Sequence, residues 1–304
     1  MHEIDQKAAK DKRFVALTSV FAAIFLTGMK LIVGLLTGSL GILSEALHSA
    51  LDLVAAVMTL FAVKIADKPA DKDHTYGHGK IENISALGET ILLLITCIWI
   101  IYEAFSRLIS GNTHVEVNIW SFIVIIASII IDFSRSRALM KAAKKYNSAA
   151  LEADALHFST DILSSAVVFL GLIGTYFNYY FFDAISGLAV AIIVIHISYK
   201  LGRKSIDDLM DRTSPELITL IESLAVAIPE IYQVHDIRAR NSGALVLIEL
   251  NIHVHDNLTI KVAHEIAHKY EDIIKANIEK CHVHVHIEPH NTETAREKNL
   301  PITE

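Results

Sequence analysis

Six apolar windows, each long enough to cross a lipid bilayer, restrict the fold of this chain more than any other feature. A bilayer core of about 30 Å is crossed by about 20 apolar residues in a helix, which rises about 1.5 Å per residue. The windows cover residues 14–36, 40–65, 85–109, 117–140, 149–177 and 179–201. The sequence therefore predicts an α-helical transmembrane domain of six helices over residues 14–204.

The composition supports the same class of protein. Hydrophobic residues make up 52% of the 304 residues, more than a soluble core can hide from water. The net charge of -7 excludes electrostatic binding of nucleic acid, which needs a basic surface. The two cysteines, Cys97 and Cys281, lie far apart and exclude a framework of disulfides. We therefore expect an integral membrane protein.

Lysine and arginine residues are concentrated in alternate loops. They occupy residues 7–13, 64–80 and 135–145, whereas the turns between these loops contain none. Short cytoplasmic loops carry the excess of positive charge in membrane proteins. Residues 1–13 also lack the apolar core of a cleavable signal. The sequence thus predicts a cytoplasmic N-terminus at residues 1–13, a cytoplasmic C-terminus and a multi-pass location in the cell (inner) membrane.

The composition becomes that of a soluble α+β unit over residues 205–290. Helical periodicity fits residues 215–228 and 259–276, and strand patterns fit residues 234–240, 245–255 and 281–288. Two helices interleaved with three strands predict a sheet that is covered by helices on one face. Residues 291–304 are polar and are predicted to form a flexible tail.

The second and fifth apolar windows each contain a histidine four residues before an aspartate. The pairs are His48 with Asp52 and His157 with Asp161, within a shared acid-Ala-Leu-His-x-x-x-Asp pattern. Residues four apart share one face of a helix, and an aspartate at the bilayer centre costs about 3 kcal/mol. Each histidine could simply cap its own aspartate as a neutral structural pair. If the two helices face each other instead, two imidazoles and two carboxylates form a set that suits tetrahedral Zn²⁺.

The charge of this four-residue set predicts a transport mechanism. With both aspartates ionised and both histidines neutral, the set carries two negative charges, which are costly in hydrocarbon. A divalent ion neutralises these charges, and so do two protons. Metal binding needs deprotonated ligands, so metal and protons compete for the set. The sequence therefore predicts a metal/proton antiporter.

The loop after the second window reads KPADKDHTYGHGKIEN and contains a second candidate metal site. Asp71, His74 and His78 supply one carboxylate and two imidazoles within eight residues, and Gly77 and Gly79 allow the backbone to fold around an ion. An ordinary polar loop is the alternative interpretation.

Histidines are enriched after residue 230, which holds nine of the 16 in the chain. Strand alternation places Asn251, His253 and His255 on the polar face of one strand, and His286 and Glu288 on the polar face of the last strand. This concentration of imidazoles predicts a metal site in the soluble unit. A solvated polar face is the alternative interpretation.

A HEIAH stretch in the second soluble helix matches the pattern of zinc proteases. It contains His264 and His268, with Glu265 as the possible general base. The pattern arises often by chance, and a protease would leave the intramembrane histidines and aspartates without a role. A membrane-anchored zinc metalloprotease is therefore the runner-up function.

In combination, these features resemble the cation diffusion facilitator family. The resemblance rests on the paired HxxxD stretches, the GSLGILSEALHSALD opening, the HTYGHGK loop and the tail stretches VHDIRARNSG and LTIKVAHEIAH. It implies a homodimeric exporter, not an enzyme, that moves Zn²⁺ and related ions such as Cd²⁺ out of the cytoplasm in exchange for protons. It also implies a ferredoxin-like cytoplasmic domain that binds regulatory Zn²⁺ and pairs across the dimer.

The resemblance also implies which residues bind metal. The transport site would be formed by His48, Asp52, His157 and Asp161, a set with two histidines that favours zinc and cadmium. The loop site would be formed by Asp71, His74 and His78. In the soluble domain, His235, His264, His286 and Glu288 match ligand positions of the family. One departure is that the expected strand histidine falls on Asn251, so that His253 or His255 would have to substitute for it.

Overall fold

Long helices account for most of the first two hundred residues. The computed structural model describes residues 2–38, 40–110, 119–176 and 181–290. The helices are α1 (His2–Thr37), α2 (Leu40–Ala66), α3 (Ile81–Ser110), α4 (Ile119–Tyr146), α5 (Ala149–Tyr176) and α6 (Phe181–Leu209). They form a first compact unit, Met1–Ile206, and a second unit begins at Asp207. The described part of each predicted apolar window falls on one of these six helices. Residues 117–118, 177 and 179–180 of the windows, and the predicted flexible tail at residues 291–304, lie outside the described residues.

Three of the six helices carry stretches that are long and apolar enough to cross a membrane. Among the described residues these stretches are Gln6–Thr37, Glu45–Ala66 and Ile81–Trp99. They lie in α1, α2 and α3. Membrane crossing by α4, α5 and α6 stays a prediction of the sequence.

Helix α1 begins well before the first apolar window. Residues that the sequence assigns to a separate cytoplasmic N-terminus form the first turns of this helix, and both Ala8 and Lys12 are 7% exposed. The Lys12 ammonium lies 2.7 Å from Asp67 Oδ1 and 3.0 Å from Glu82 Oε1. A hydropathy window registers the charge of Lys12 but not the ion pairs that bury it. It therefore identifies the apolar part of α1 and not the first turns of this helix. Helix α6 likewise continues to Leu209, beyond the predicted boundary at residue 204.

Small residues line the contacts between the helices of the first unit. α1 packs mainly against α2, α4 packs mainly against α5, and α2 also contacts α5. The buried core that these helices share is rich in alanine: Ala16, Ala23, Ala56, Ala62, Ala143, Ala150 and Ala155. Small side chains let helix backbones approach closely, which is the usual basis of helix association in membranes. The contact between α2 and α5 is the one that brings the two His/Asp pairs together.

The second unit contains two helices and a three-stranded sheet within the described residues. Its elements are α7 (Pro215–Ala225), β1 (Gln233–Ser242), β2 (Leu245–His255), α8 (Ile260–Asn277) and β3 (Cys281–His290). The strand order is β1-β2-β3, with β1 antiparallel and β3 parallel to β2. The Ser214 side chain accepts a hydrogen bond from the Leu217 N–H, and the Thr259 side chain accepts one from the Val262 N–H. These caps satisfy free N–H groups and define where α7 and α8 begin.

Strand β2 separates the second unit into an apolar and a polar side. Ile248, Leu250, Ile252 and Val254 are at most 2% exposed and pack with residues of α7 and α8. Alternate residues of a strand point to opposite faces of the sheet. Asn251, His253 and His255 therefore belong to the other face, which carries the candidate tail site.

The buried hydroxyl of Tyr270 joins α8 to α7. It donates a hydrogen bond of 2.6 Å to the Ile221 carbonyl, and the Tyr270 side chain is 0% exposed. Tyr270→Phe leaves that carbonyl buried without its donor, which costs about 1–2 kcal/mol. We expect amides of α7 in the full-length protein to exchange with deuterium roughly 5 to 30 times faster in this variant. Tyr232→Phe, at a tyrosine that is 45% exposed, is the control and should leave α7 exchange unchanged.

Candidate metal centres

Four side chains from α2 and α5 converge inside the first unit. His48 and Asp52 lie one turn apart on α2, and His157 and Asp161 lie one turn apart on α5. His48 Nε2 is 3.8 Å from Asp52 Oδ1 and 3.6 Å from Asp161 Oδ1. His157 Nε2 is 3.2 Å from Asp52 Oδ1 and 3.7 Å from Asp161 Oδ2. Each imidazole Nε2 therefore lies within 3.8 Å of both carboxylates.

These nitrogen to oxygen distances fit ligands of one tetrahedral ion: the ligand atoms of His48, Asp52 and Asp161 all lie within 4.8 Å of one another, and His157 contacts both aspartates. Zn²⁺ binds nitrogen and oxygen at about 2.0 to 2.2 Å, which separates two ligand atoms of a tetrahedron by about 3.4 Å. The four distances of 3.2 to 3.8 Å lie around that value. The shortest contact joins His157 to Asp52 of the other helix, so the arrangement differs from two separate pairs in which each histidine caps its own aspartate.

The four side chains differ in their access to solvent. The exposed fraction is 3% for the side chain of His157, 11% for each aspartate and 30% for His48. Among the described residues, Asp161 Oδ2 is buried without a hydrogen-bond partner. A buried carboxylate oxygen needs such a partner or a cation. The orphaned oxygen therefore fits a site that is completed by a positive ion.

Lys30 of α1 and Asp132 of α4 form ion pairs in the interior of the first unit. The Lys30 ammonium lies 3.2 Å from Glu45 Oε2 and donates a hydrogen bond of 2.8 Å to Ser49 Oγ. The Arg135 guanidinium lies 3.1 Å from Asp132 Oδ1. Lys30 and Asp132 are thus both paired with an oppositely charged side chain.

Two further charged residues belong to the interior and were not singled out from the sequence. Glu89 of α3 is 0% exposed. Arg135 of α4 donates a hydrogen bond of 3.1 Å to Ser19 Oγ and lies 3.5 Å above the centre of the Phe158 ring. Charge within a membrane span is rare and usually functional, so the position of these two residues inside apolar windows could have identified them from the sequence.

The loop between α2 and α3 folds around the Asp71 carboxylate. Asp71 Oδ1 accepts hydrogen bonds from the Asp73 N–H at 3.0 Å and the His74 N–H at 2.7 Å. His74 Nδ1 lies 3.3 Å from Asp71 Oδ1, and His78 Nε2 lies 3.3 Å from Asp71 Oδ2. The His74 N–H lowers the pKa of Asp71 below its usual value, which favours the ionised form. Gly77, at a φ of +80°, donates its N–H to the His74 carbonyl and closes the turn.

One residue from each strand of the sheet forms a cluster in the second unit. His253 Nε2 of β2 is 3.2 Å from Glu288 Oε2 of β3, and His235 Nε2 of β1 is 3.4 Å from the same oxygen. The Asn251 amide donates a hydrogen bond of 3.0 Å to the other oxygen, Glu288 Oε1. Burial lowers the pKa of His253, and the nearby imidazole of His235 lowers it further. His253 is therefore favoured in the neutral form that binds metal.

The other three histidines predicted for a tail site lie outside this cluster. His255 is exposed, and its Nδ1 is 3.1 Å from Asp256 Oδ1. His264 is exposed on α8, with its Nε2 at 3.0 Å from His268 Nε2. His286 is exposed on β3 and pairs in register with Asn251. Of the two histidines that could substitute at the Asn251 position, only His253 thus faces Glu288.

The two histidines of the HEIAH stretch lie together, and His268 Nδ1 is also 3.5 Å from Glu271 Oε2. In the part of the chain that the structure describes, the groups of three or more potential metal ligands are Asp71/His74/His78, His235/His253/Glu288 and His48/Asp52/Asp161. The pair of His264 and His268 belongs to none of these groups. The structure therefore offers no support for a zinc-protease site at this stretch.

Comparison with known proteins matches both units of the chain. Residues 16–210 match the family model described as the cation efflux transmembrane domain, and residues 213–290 match the one described as the cation efflux protein, cytoplasmic domain. Together the two matches cover most of the 304 residues.

Three relatives are similar over nearly their whole length. An uncharacterized transporter of Methanocaldococcus jannaschii is 34% identical over 272 residues, which cover 88% of this chain and 96% of the relative. The manganese efflux system protein MneP of Bacillus subtilis is 32% identical, covering 90% of this chain and 95% of the relative. The cation-efflux pump FieF of Shewanella oneidensis is 29% identical, covering 89% of this chain and 92% of the relative.

Proposed function

This chain belongs to the cation diffusion facilitator family of divalent cation efflux transporters, and from that premise we propose that it exports Zn²⁺ in exchange for protons. The single observation that carries the proposal is the set of two imidazoles and two carboxylates between α2 and α5, with nitrogen to oxygen distances of 3.2 to 3.8 Å. That set is the transport site of the proposed cycle.

The ligand types favour zinc over harder divalent ions. Imidazole nitrogen suits Zn²⁺, whereas Mn²⁺ prefers sites made of carboxylate, carbonyl and water oxygen. One relative is named for manganese efflux. The transport site proposed here has two histidines, and we therefore propose Zn²⁺ and Cd²⁺ as preferred ions, ahead of Mn²⁺.

Exchange with protons follows from the charge of the transport site. With neutral imidazoles, Asp52 and Asp161 give it two negative charges, and a bound divalent ion cancels them. When the ion leaves, protons must restore neutrality, because an uncompensated charge in a low-dielectric interior is costly. The site then alternates between a metal-bound and a protonated state. We propose that α2 and α5 rock to expose these states to opposite sides of the membrane, with both termini in the cytoplasm.

The loop and tail clusters are proposed to bind Zn²⁺ on the cytoplasmic side and to regulate a homodimer. The match of residues 213–290 to the cytoplasmic domain of cation efflux proteins supports a dimer. The donor sets fit zinc, since each combines two imidazoles with one carboxylate. Zinc in these sites would bias the rocking of the helices, which makes the transported ion its own regulator.

Metal flux into proteoliposomes with an imposed pH gradient tests the function. We expect Zn²⁺ uptake in the inside-out orientation to be driven by an acidic lumen and to move protons outward, with Cd²⁺ close to Zn²⁺ and Mn²⁺ much slower. Flux that ignores the pH gradient would contradict antiport. Faster transport of Mn²⁺ than of Zn²⁺ would contradict the metal assignment.

The Asn251 amide provides a test of the tail site. It holds one oxygen of Glu288 while His253 faces the other. Groups that orient a metal ligand typically contribute 10- to 100-fold to metal affinity. We expect Asn251→Ala to weaken Zn²⁺ binding by one class of sites about 10-fold in titrations of the full-length protein. His255→Ala is the control, and an equal loss there would contradict this assignment.

A further inference from the structure

Two carboxylates inside the first unit are fully buried and take no part in the four-residue transport site. Glu89 lies on α3 and Asp154 on α5, and both are 0% exposed. Ala86 and Leu93, on either side of Glu89, pack in one buried cluster with Ala153 and Leu156, on either side of Asp154. Buried charges are normally paired with a charge of the opposite sign. Glu89 and Asp154 are therefore costly to bury in their ionised form.

Each carboxylate has one oxygen with a partner and one without. Glu89 Oε1 is hydrogen-bonded to the Thr59 hydroxyl, and Asp154 Oδ2 accepts a hydrogen bond of 3.2 Å from Ser19. Among the described residues, Glu89 Oε2 and Asp154 Oδ1 are buried without a hydrogen-bond partner. Hydroxyl groups orient the two side chains but supply no positive charge. In the part of the chain that the structure describes, no cation therefore forms an ion pair with either carboxylate to compensate its negative charge.

The available positive charge is sufficient for only one of the two. Arg135 of α4 donates a hydrogen bond of 3.1 Å to Ser19, whose hydroxyl donates to Asp154, and Arg135 also forms an ion pair with Asp132 at 3.1 Å. Among the described residues Glu89 forms no ion pair, and its side chain is hydrogen-bonded to the Thr59 hydroxyl. Two adjacent carboxylates in a low-dielectric site share a proton rather than ionise together. Glu89, which has no cation, is the member that holds this proton.

Asp154 connects this proton to the transport site. It lies three residues before His157 on α5, and residues three apart are neighbours on a helix surface. A divalent ion beside His157 brings two positive charges near Asp154 and Glu89 and stabilises the ionised form of both. We propose that Glu89 holds a proton while the transport site is empty and releases it when a divalent metal ion binds. This inference rests on the proposed transport site and adds a second proton-exchanging group to it.

Proton release during metal binding tests the inference in the full-length protein. Zinc is titrated into detergent-solubilised protein in two buffers with different ionisation enthalpies, and the difference gives the protons released per bound ion. We expect Glu89→Gln to release about one proton fewer per ion at the transport site than the wild-type protein. Glu89→Asp, which restores an acid at the same position, is expected to return proton release toward the wild-type value.

Glu82 provides a matched control for burial and helix position. It lies on α3 seven residues before Glu89 and is 2% exposed, but it has the Lys12 ammonium at 3.0 Å. Glu82→Gln should therefore release as many protons as the wild-type protein. Equal release from Glu89→Gln and wild type, or an equal loss in Glu82→Gln, would overturn the role of Glu89. If Glu89→Gln does not fold, a wild-type value in Asp154→Asn overturns it in the same way.

The outcomes separate this inference from the proposed function. A wild-type protein that binds no zinc would overturn both. Zinc binding and proton-coupled flux that persist with an unchanged proton count in Glu89→Gln would overturn only the inference about Glu89.

Discussion

Asp161→Asn is expected to reduce metal-driven proton flux at least about 100-fold. Asp161 offers one oxygen to His48 at 3.6 Å and the other to His157 at 3.7 Å. An amide of the same shape keeps the packing but removes one ligand charge. A divalent ion would then leave an uncompensated positive charge in the interior, which is strongly unfavourable. The variant should bind the ion weakly and should lose exchange with protons.

This loss is measured as proton movement in proteoliposomes that contain a pH-sensitive dye, after addition of Zn²⁺. Asp73→Asn makes the same chemical change in the exposed loop before α3, outside the transport site. It is expected to retain wild-type flux, because the Asp73 contact to Asp71 uses its backbone N–H. A proton flux above about a tenth of the wild-type value in Asp161→Asn would contradict the assignment of Asp161 to the transport site.

Lys12→Met is expected to destabilise the first unit by about 3–5 kcal/mol. The Lys12 ammonium lies between the Asp67 and Glu82 carboxylates, and its side chain is 8% exposed. Removal of one partner leaves a buried charge without compensation. Glu82, at 2% exposure, would keep only the Ser148 hydroxyl at 2.5 Å, whereas Asp67 retains Arg13 at 3.4 Å.

Thermal unfolding of the detergent-solubilised protein measures this effect, and the midpoint is expected to fall by about 10 °C. Lys10→Met makes the same change two residues earlier, at an exposed position of α1, and should leave the midpoint nearly unchanged. A Lys12→Met protein as stable as Lys10→Met would show that this ion pair contributes nothing to stability.

The contrast between Lys10 and Lys12 shows what a sequence pattern can and cannot resolve. Both lie in a charged stretch that the sequence assigns to a cytoplasmic segment outside the membrane domain. In the structure only Lys12 turns toward Asp67 and Glu82, which lie 55 and 70 residues further along the chain. Hydropathy is averaged over neighbours in the sequence, whereas an ion pair forms only where two helix ends meet in space.

The tail histidines make the same point for the candidate sites. Strand alternation placed Asn251, His253 and His255 on one face, but burial along β2 does not alternate there, because His253 is buried like Ile252 and Val254 beside it. It left open whether His253 or His255 substitutes for the expected histidine. The parallel register places His253 opposite Glu288 and His255 opposite His290, which is why we propose His253 for this position.

The interior charges were only partly predictable. The spacing of the His/Asp pairs on α2 and α5 indicated one face of each helix, since helical periodicity is a local property. The packing of α3 against α5 that brings Glu89 near Asp154 has no local signal beyond an acid in an apolar window.

The sequence by itself determined the class of protein, the approximate bounds of its helices and strands, and the spacing that puts His48 with Asp52 and His157 with Asp161. These features depend on hydrophobicity and on repeats of a few residues, which act over short distances along the chain. Only the tertiary structure decided that each imidazole lies within 3.8 Å of both carboxylates, that Lys12 is buried and that Glu89 forms no ion pair among the described residues. These contacts join helices that are far apart in the sequence. They therefore depend on how the helices pack, which the small residues between them allow.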